Sequence, residues 1–106
     1  MTDSSTPATP AADPRATLQM VFDTITDRQA HPKAGSYTNS LFDDGLDEIS
    51  KKVGEEAIEV ILAAHVQGRA RLIEELADLT YHCLVLMAQC GLTPADVAAE
   101  LDKRHR

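Results

Sequence analysis

Residues 46–90 read LDEISKKVGEEAIEVILAAHVQGRARLIEELADLTYHCLVLMAQC, and this stretch decides the fold. Leu46, Ile49, Val53, Ala57, Val60 and Ala64 recur at the interval of one helix face, which predicts a helix from Gly45 or Leu46 to Val66. Gly68 interrupts the pattern, and a further helix is expected from about Ala70 to Cys90. There Leu72, Leu76, Leu79, Cys83, Leu86 and Cys90 alternate four and three apart, a spacing that suits coiled-coil-like packing. Ile73, Ala77, Leu84 and Ala88, with Tyr81 nearby, cover much of the opposite side. A helix apolar on nearly two faces needs two partners, and one of them is expected to be a second subunit.

Each of these helices carries two acids at i, i+3: Glu56 with Glu59, and Glu75 with Asp78. Both pairs border an apolar stripe, so packing the helices against each other brings four carboxylates to one seam, with Glu55 further out and Lys52 on the same acidic margin. Acids clustered on a helix are commonly a solvated face, but solvated acids lie opposite the core rather than beside it. A convergent cluster repels itself unless a cation neutralises it, and ligation by Glu and Asp oxygens is the preference of Mg²⁺ or Mn²⁺. The spacing therefore predicts metal-dependent chemistry on phosphate.

The cations and hydroxyls nearby carry two readings. Lys51 and Lys52 are ordinary surface cations, or one of them neutralises a substrate phosphate; Arg71, on the acidic side of its helix, competes for that role. Ser36, Tyr37 and Thr38 offer three hydroxyls in a row, suited to phosphate or ribose oxygens and equally to a polar turn. His82 follows Asp78 by one turn, but carboxylate-bridged di-iron bundles use Glu-x-x-His, and Glu75 and Asp78 precede His82 by seven and four residues. Iron fits poorly; His82 reads as a hydrogen-bonding helix residue or a group behind the ligands. His31, His65 and His105 form no usable pattern.

Upstream, Asp13 and Pro14 form an N-cap with proline at the first helical position, and Leu18, Val21, Phe22 and Ile25 mark an amphipathic helix ending near Arg28 to Ala30. Residues 1–13 are Thr, Ser, Pro and Ala with little to bury, the composition of a disordered tail before one domain over 14–106. From His31 to Asp44 the turn-forming residues predict a long loop, read as a binding loop, a simple connector or a short capping turn around Leu41 and Phe42. Downstream, Gly91, then Thr93, Pro94 and Asp96, stop one helix and cap a last one ending near His105. The expectation is an all-α, mainly antiparallel helical bundle, completed by dimerisation because 106 residues bury proportionally little surface.

A formal net charge of -7 argues against a broad electrostatic surface for nucleic acid or anionic lipid. A small anionic substrate held by metal and a few local cations remains compatible with it. Cys83 and Cys90, about 10 Å apart on one helix at ~1.5 Å rise per residue, cannot bridge and read as small buried hydrophobes. With no secretory pattern and no long apolar run, a cytoplasmic location is expected.

From Ser36 to Arg104 the chain resembles the phosphoribosyl-ATP pyrophosphohydrolase family of histidine biosynthesis, a branch of the MazG-like all-α nucleotide pyrophosphohydrolases. The resemblance rests on Ser36-Tyr37-Thr38, Leu41, Gly45, Lys52-Val53-Gly54-Glu55-Glu56-Ala57 with Glu59, and Glu75-Leu76-Ala77-Asp78-Leu79 with Tyr81-His82. The wider superfamily shares only the two acidic pairs. The resemblance implies hydrolysis of 1-(5-phosphoribosyl)-ATP to 1-(5-phosphoribosyl)-AMP and pyrophosphate by a dimer, with Mg²⁺ at Glu56, Glu59, Glu75 and Asp78. Glu55 or Glu59 is expected to orient or deprotonate water, and Lys52 to stabilise the departing pyrophosphate. Thr80 departs from the family's usual apolar residue and bears on packing, not chemistry. Some family members are fused to a cyclohydrolase domain; no length is left for it here, so a separate protein is expected to supply it. Two rivals stand beside this reading: a house-cleaning nucleoside triphosphate pyrophosphohydrolase, and a helical dimerisation module whose acids are merely solvated.

Overall fold

The computed structural model describes residues 12–105, so most of the expected N-terminal tail lies outside the described residues. Helix α1, Pro14–Ala30, starts where the sequence places it: the Asp13 carboxylate accepts from the Arg15 amide at 3.0 Å, and Pro14 occupies the first turn, where no amide partner is needed. Phe22 and Ile25 are its buried residues, while Leu18 remains substantially exposed.

The segment read as a long loop contains a helix. Only the stretch before Tyr37 is irregular, and α2 spans Tyr37–Asp44. Ser36 caps it by accepting from the Asn39 amide at 3.2 Å. Two turns are too short to reveal a helical period, and polar Tyr37-Thr38-Asn39-Ser40 masks the inward face. That face holds Leu41 and the buried Asn39, whose side chain donates to the Arg28 carbonyl at 2.7 Å and accepts from the Lys33 amide at 2.9 Å. Asn39 thereby fastens the end of α1 to the connection that follows it.

Helix α3 spans Leu46–Leu62 and continues into a wider π-helical turn, Ala63–Gln67. Gly68, at φ 85°, then reverses the chain in a conformation that a side chain would strain. Helix α4, Arg69–Gln89, returns along α3, the most extensively packed pair in the molecule. Thr93 and Asp96 form a reciprocal capping box for α5, Pro94–Arg104, whose direction departs from that of α4 by 106°. The described residues are all-α; no single helix among them is long and apolar enough to cross a membrane.

The core is small: Phe22 and Ile25 of α1, Leu41 of α2, Ile49 of α3, and Leu84, Val85 and Ala88 of α4. A single copy buries only part of the expected stripes. On α4 the inward line is Glu75, His82, Val85, Leu84 and Ala88, whereas Leu76 and Ile73 of the two expected faces are exposed. The inward side of α4 packs against α1 and α3 and is hydrogen-bonded to α2, so its residues do not follow one regular seam. On α3 only Ile49 is fully buried, and Leu46 is exposed. Cys90 is exposed rather than buried; Cys83 is half-buried, its thiol pKa pushed up by burial.

Ile49, fully excluded from solvent, has no room to compensate for truncation. Ile49→Ala is expected to lower the unfolding free energy by about 2–5 kcal/mol, and Met20→Ala, at an exposed site of α1, to change it by no more than about 0.5 kcal/mol; urea titration followed by circular dichroism measures both.

Candidate active site

The acids on α3 and α4 meet because Gly68 folds one helix back on the other. Single carboxylate oxygens of Glu56, Glu75 and Asp78 lie within 4.8 Å of one another. Glu59, half-buried, lines the same open cavity of 510 Å³ without joining that close group, so three of the four expected acids converge directly and the fourth lines the cavity beside them. Glu55, Ile58 and Arg71 complete the lining.

Glu75 is the unusual member. It is 2% exposed, and its charged partner is Arg71 one turn earlier, whose guanidinium also holds Glu74 at 2.8 Å. Burial pushes the Glu75 carboxyl above its ordinary value, and the charges of Asp78, Glu56 and Glu59 push the same way, against Arg71. The site thus concentrates negative charge where water cannot fully screen it. An all-oxygen donor set of this kind, with one buried member destabilised by its neighbours, fits a hard divalent cation.

The remaining sequence-selected residues divide around this cavity. Arg71 enters it but is engaged by Glu74 and Glu75. Lys52 lies 3.5 Å from Glu55, whose negative charge is the main cause of its raised ammonium pKa, followed by Tyr37. Lys51 is directed to Glu48 at 3.9 Å and does not line the cavity. Ser36 is occupied as the α2 cap, while Thr38 Oγ1 bonds the Tyr81 hydroxyl. The Tyr37 hydroxyl meets His82 Nε2 at 3.0 Å, with Tyr37 and His82 rings edge-on and their centroids 5.9 Å apart. Burial raises the Tyr37 pKa; Lys52 opposes that shift, whereas Tyr81, Glu56 and Glu48 add to it. The three hydroxyls are therefore parts of a helix cap and an α2–α4 fastening rather than a free loop.

Sequence reasoning missed Asn39, Ile58 and the Thr38–Tyr81 pair. Ile58 shows only as an apolar residue between two acids, and Asn39 looks like any turn asparagine; each role depends on what packs beside it.

Against this geometry, the family model described as phosphoribosyl-ATP pyrophosphohydrolase matches residues 18–105. The chain belongs to the phosphoribosyl-ATP pyrophosphohydrolase family. It is 52% identical to the phosphoribosyl-ATP pyrophosphatase of Limosilactobacillus fermentum, covering 83% of each chain. It is 51% identical to that of Lacticaseibacillus casei, covering 86% of this chain and 83% of the relative. The histidine biosynthesis bifunctional protein HisIE of Thermoanaerobacter pseudethanolicus is 52% identical across 78% of this chain, which spans 38% of that relative's length. The family match contains every acid of the cavity, both tyrosines and His82.

The raised Glu75 pKa has a defined consequence. Between the ordinary glutamate value and the raised one, the native state binds more protons than the unfolded chain, so metal-free stability falls as pH rises through this window. Glu75→Gln is expected to flatten that dependence and raise the melting temperature near neutral pH; calorimetry in the presence of chelator, with parent and variant scanned across pH, checks the sign.

Proposed function

We propose that the protein hydrolyses 1-(5-phosphoribosyl)-ATP to 1-(5-phosphoribosyl)-AMP and pyrophosphate, the second step of histidine biosynthesis, with Mg²⁺ as cofactor. The observation that carries this reading is the convergence of Glu56, Glu75 and Asp78 in a member of this family. Glu56, Glu75 and Asp78 would hold the ion, with Glu59 in the same cavity lining; Mn²⁺ satisfies the same oxygen set. Bound there, the divalent ion supplies charge neutralisation for phosphate oxygens and a more acidic water.

The chain's own residues supply the rest. Glu59 or Glu55, both lining the cavity, orients the attacking water and takes its proton. The water oxygen bonds to phosphorus as the bond to pyrophosphate breaks, and the leaving group carries away the bond electrons. Lys52, linked to Glu55 of the cavity lining though not itself part of it, would reach in to answer that developing negative charge. Arg71 restrains Glu75 and offers its half-exposed guanidinium to the cavity mouth.

The reading extends to a homodimer in the cytoplasm. Ile58, Ile61 and Leu62 of α3, Val66 of the π-helical turn and Ile73 and Leu76 of α4 leave a large apolar surface around the site in a single copy, which a second copy would cover. Both cysteines are unpaired, in keeping with a reducing compartment.

With Mg²⁺ and phosphoribosyl-ATP, purified protein is expected to release stoichiometric pyrophosphate, with deoxynucleoside triphosphates turned over far more slowly. Glu56→Ala and Asp78→Ala should each lower kcat by at least about 100-fold with unchanged helicity. Absence of pyrophosphate from the parent, or full activity in either variant, contradicts the proposal.

A further inference from the structure

His82 is a buried side chain to which the proposed hydrolysis assigns no role. It is 6% exposed, and both of its ring nitrogens have partners. Nδ1 lies 2.7 Å from the Asp78 backbone carbonyl, which can only accept, so Nδ1 carries the proton. In the neutral ring Nε2 is then an acceptor, and the Tyr37 hydroxyl at 3.0 Å must be its donor. The hydrogen bonds run one way, from Tyr37 through His82 to the backbone of a cavity-lining acid.

This direction settles what Tyr37 can offer a ligand. A phenol has a single proton, and here it is turned inward; what remains outward is lone-pair density. The adjoining Thr38–Tyr81 bond and the Tyr37–Tyr81 ring contact, with centroids 6.4 Å apart, keep α2 in register with α4 and prevent the phenol from turning freely. Tyr37 is nevertheless 51% exposed; it lines a hollow with Lys33, Gly35 and Asp43 rather than the acid cavity itself, and is tied to that cavity through His82 and the Asp78 carbonyl, with Lys52 and Glu56 near enough for their charges to act on it.

We propose that His82 is a positioning residue that fixes the Tyr37 hydroxyl as a hydrogen-bond acceptor at the edge of the active site, so that Tyr37 recognises a donor on the substrate, a sugar hydroxyl, rather than a phosphate oxygen. The proposal rests on the cavity being the phosphoribosyl-ATP site. It assigns Tyr37 to the sugar part of the ligand and leaves phosphate recognition to Lys52, Arg71 and the metal.

The test combines three readouts. Tyr37→Phe removes only the hydroxyl, and His82→Asn keeps a donor for the Asp78 carbonyl while losing reach to Tyr37. Each is expected to raise KM for phosphoribosyl-ATP about five- to tenfold with kcat little changed, and the double variant no further, because one interaction is lost in all three. Magnesium pyrophosphate, which has no sugar, should bind both single variants as tightly as the parent in calorimetry. In ¹⁵N NMR of the parent, the His82 ring should show the Nδ1-protonated tautomer, a result independent of any catalysis. Multiplying KM effects, weakened pyrophosphate binding in Tyr37→Phe, or an Nε2-protonated ring would each overturn the proposal. An inactive parent with the expected tautomer and pyrophosphate binding would instead count against phosphoribosyl-ATP as substrate and so remove the sugar assignment.

Discussion

The Glu75 carboxylate, held out of water between α3 and α4, is the constraint on which the rest of the site depends. Burying a carboxylate beside other acids is unfavourable unless something answers the charge, and Arg71 answers only part of it while sharing itself with Glu74. The imbalance confers a standing demand for positive charge at the point where Glu56 and Asp78 also arrive. A protein selected only for stability would place an apolar side chain at this position of α4, as it does at Val85.

Around that point the molecule is built as a hairpin with a brace. Gly68 makes the hairpin, so acids nearly twenty residues apart in the chain face one another. The brace is α2, held to α4 by the neighbouring pairs Tyr37–His82 and Thr38–Tyr81 and to α1 by Asn39. Because His82 bonds the carbonyl of Asp78, the brace and the acid cluster share a residue, and a shift of α2 is felt at the site.

The helical periods of α1, α3, α4 and α5, with their proline starts and glycine stops, were legible from local spacing. Helix α2 was not, because two polar turns give no periodic signal and their single inward face is defined by what lies opposite. The four acids were legible as a group, since i, i+3 pairs beside apolar stripes have few other uses. Their inequality was not: spacing treats Glu59 and Glu75 alike, whereas one is half-buried in the cavity lining and the other is almost fully enclosed. Which part of the α4 stripes a single copy buries was not legible for a related reason, as that helix packs on α1 and α3 and is hydrogen-bonded to α2.

By itself, the sequence determined an all-α chain, its capping points, the two acidic pairs and the motifs that place it in its family, because these follow from short-range spacing and residue chemistry. The tertiary structure decided which carboxylate is desolvated, which hydroxyls are already bonded and that Tyr37 meets a buried histidine. The acids meet across 19 or more positions of chain and the hydroxyl bonds span 43 to 45, so burial and hydrogen-bond partners exist only once the helices have packed.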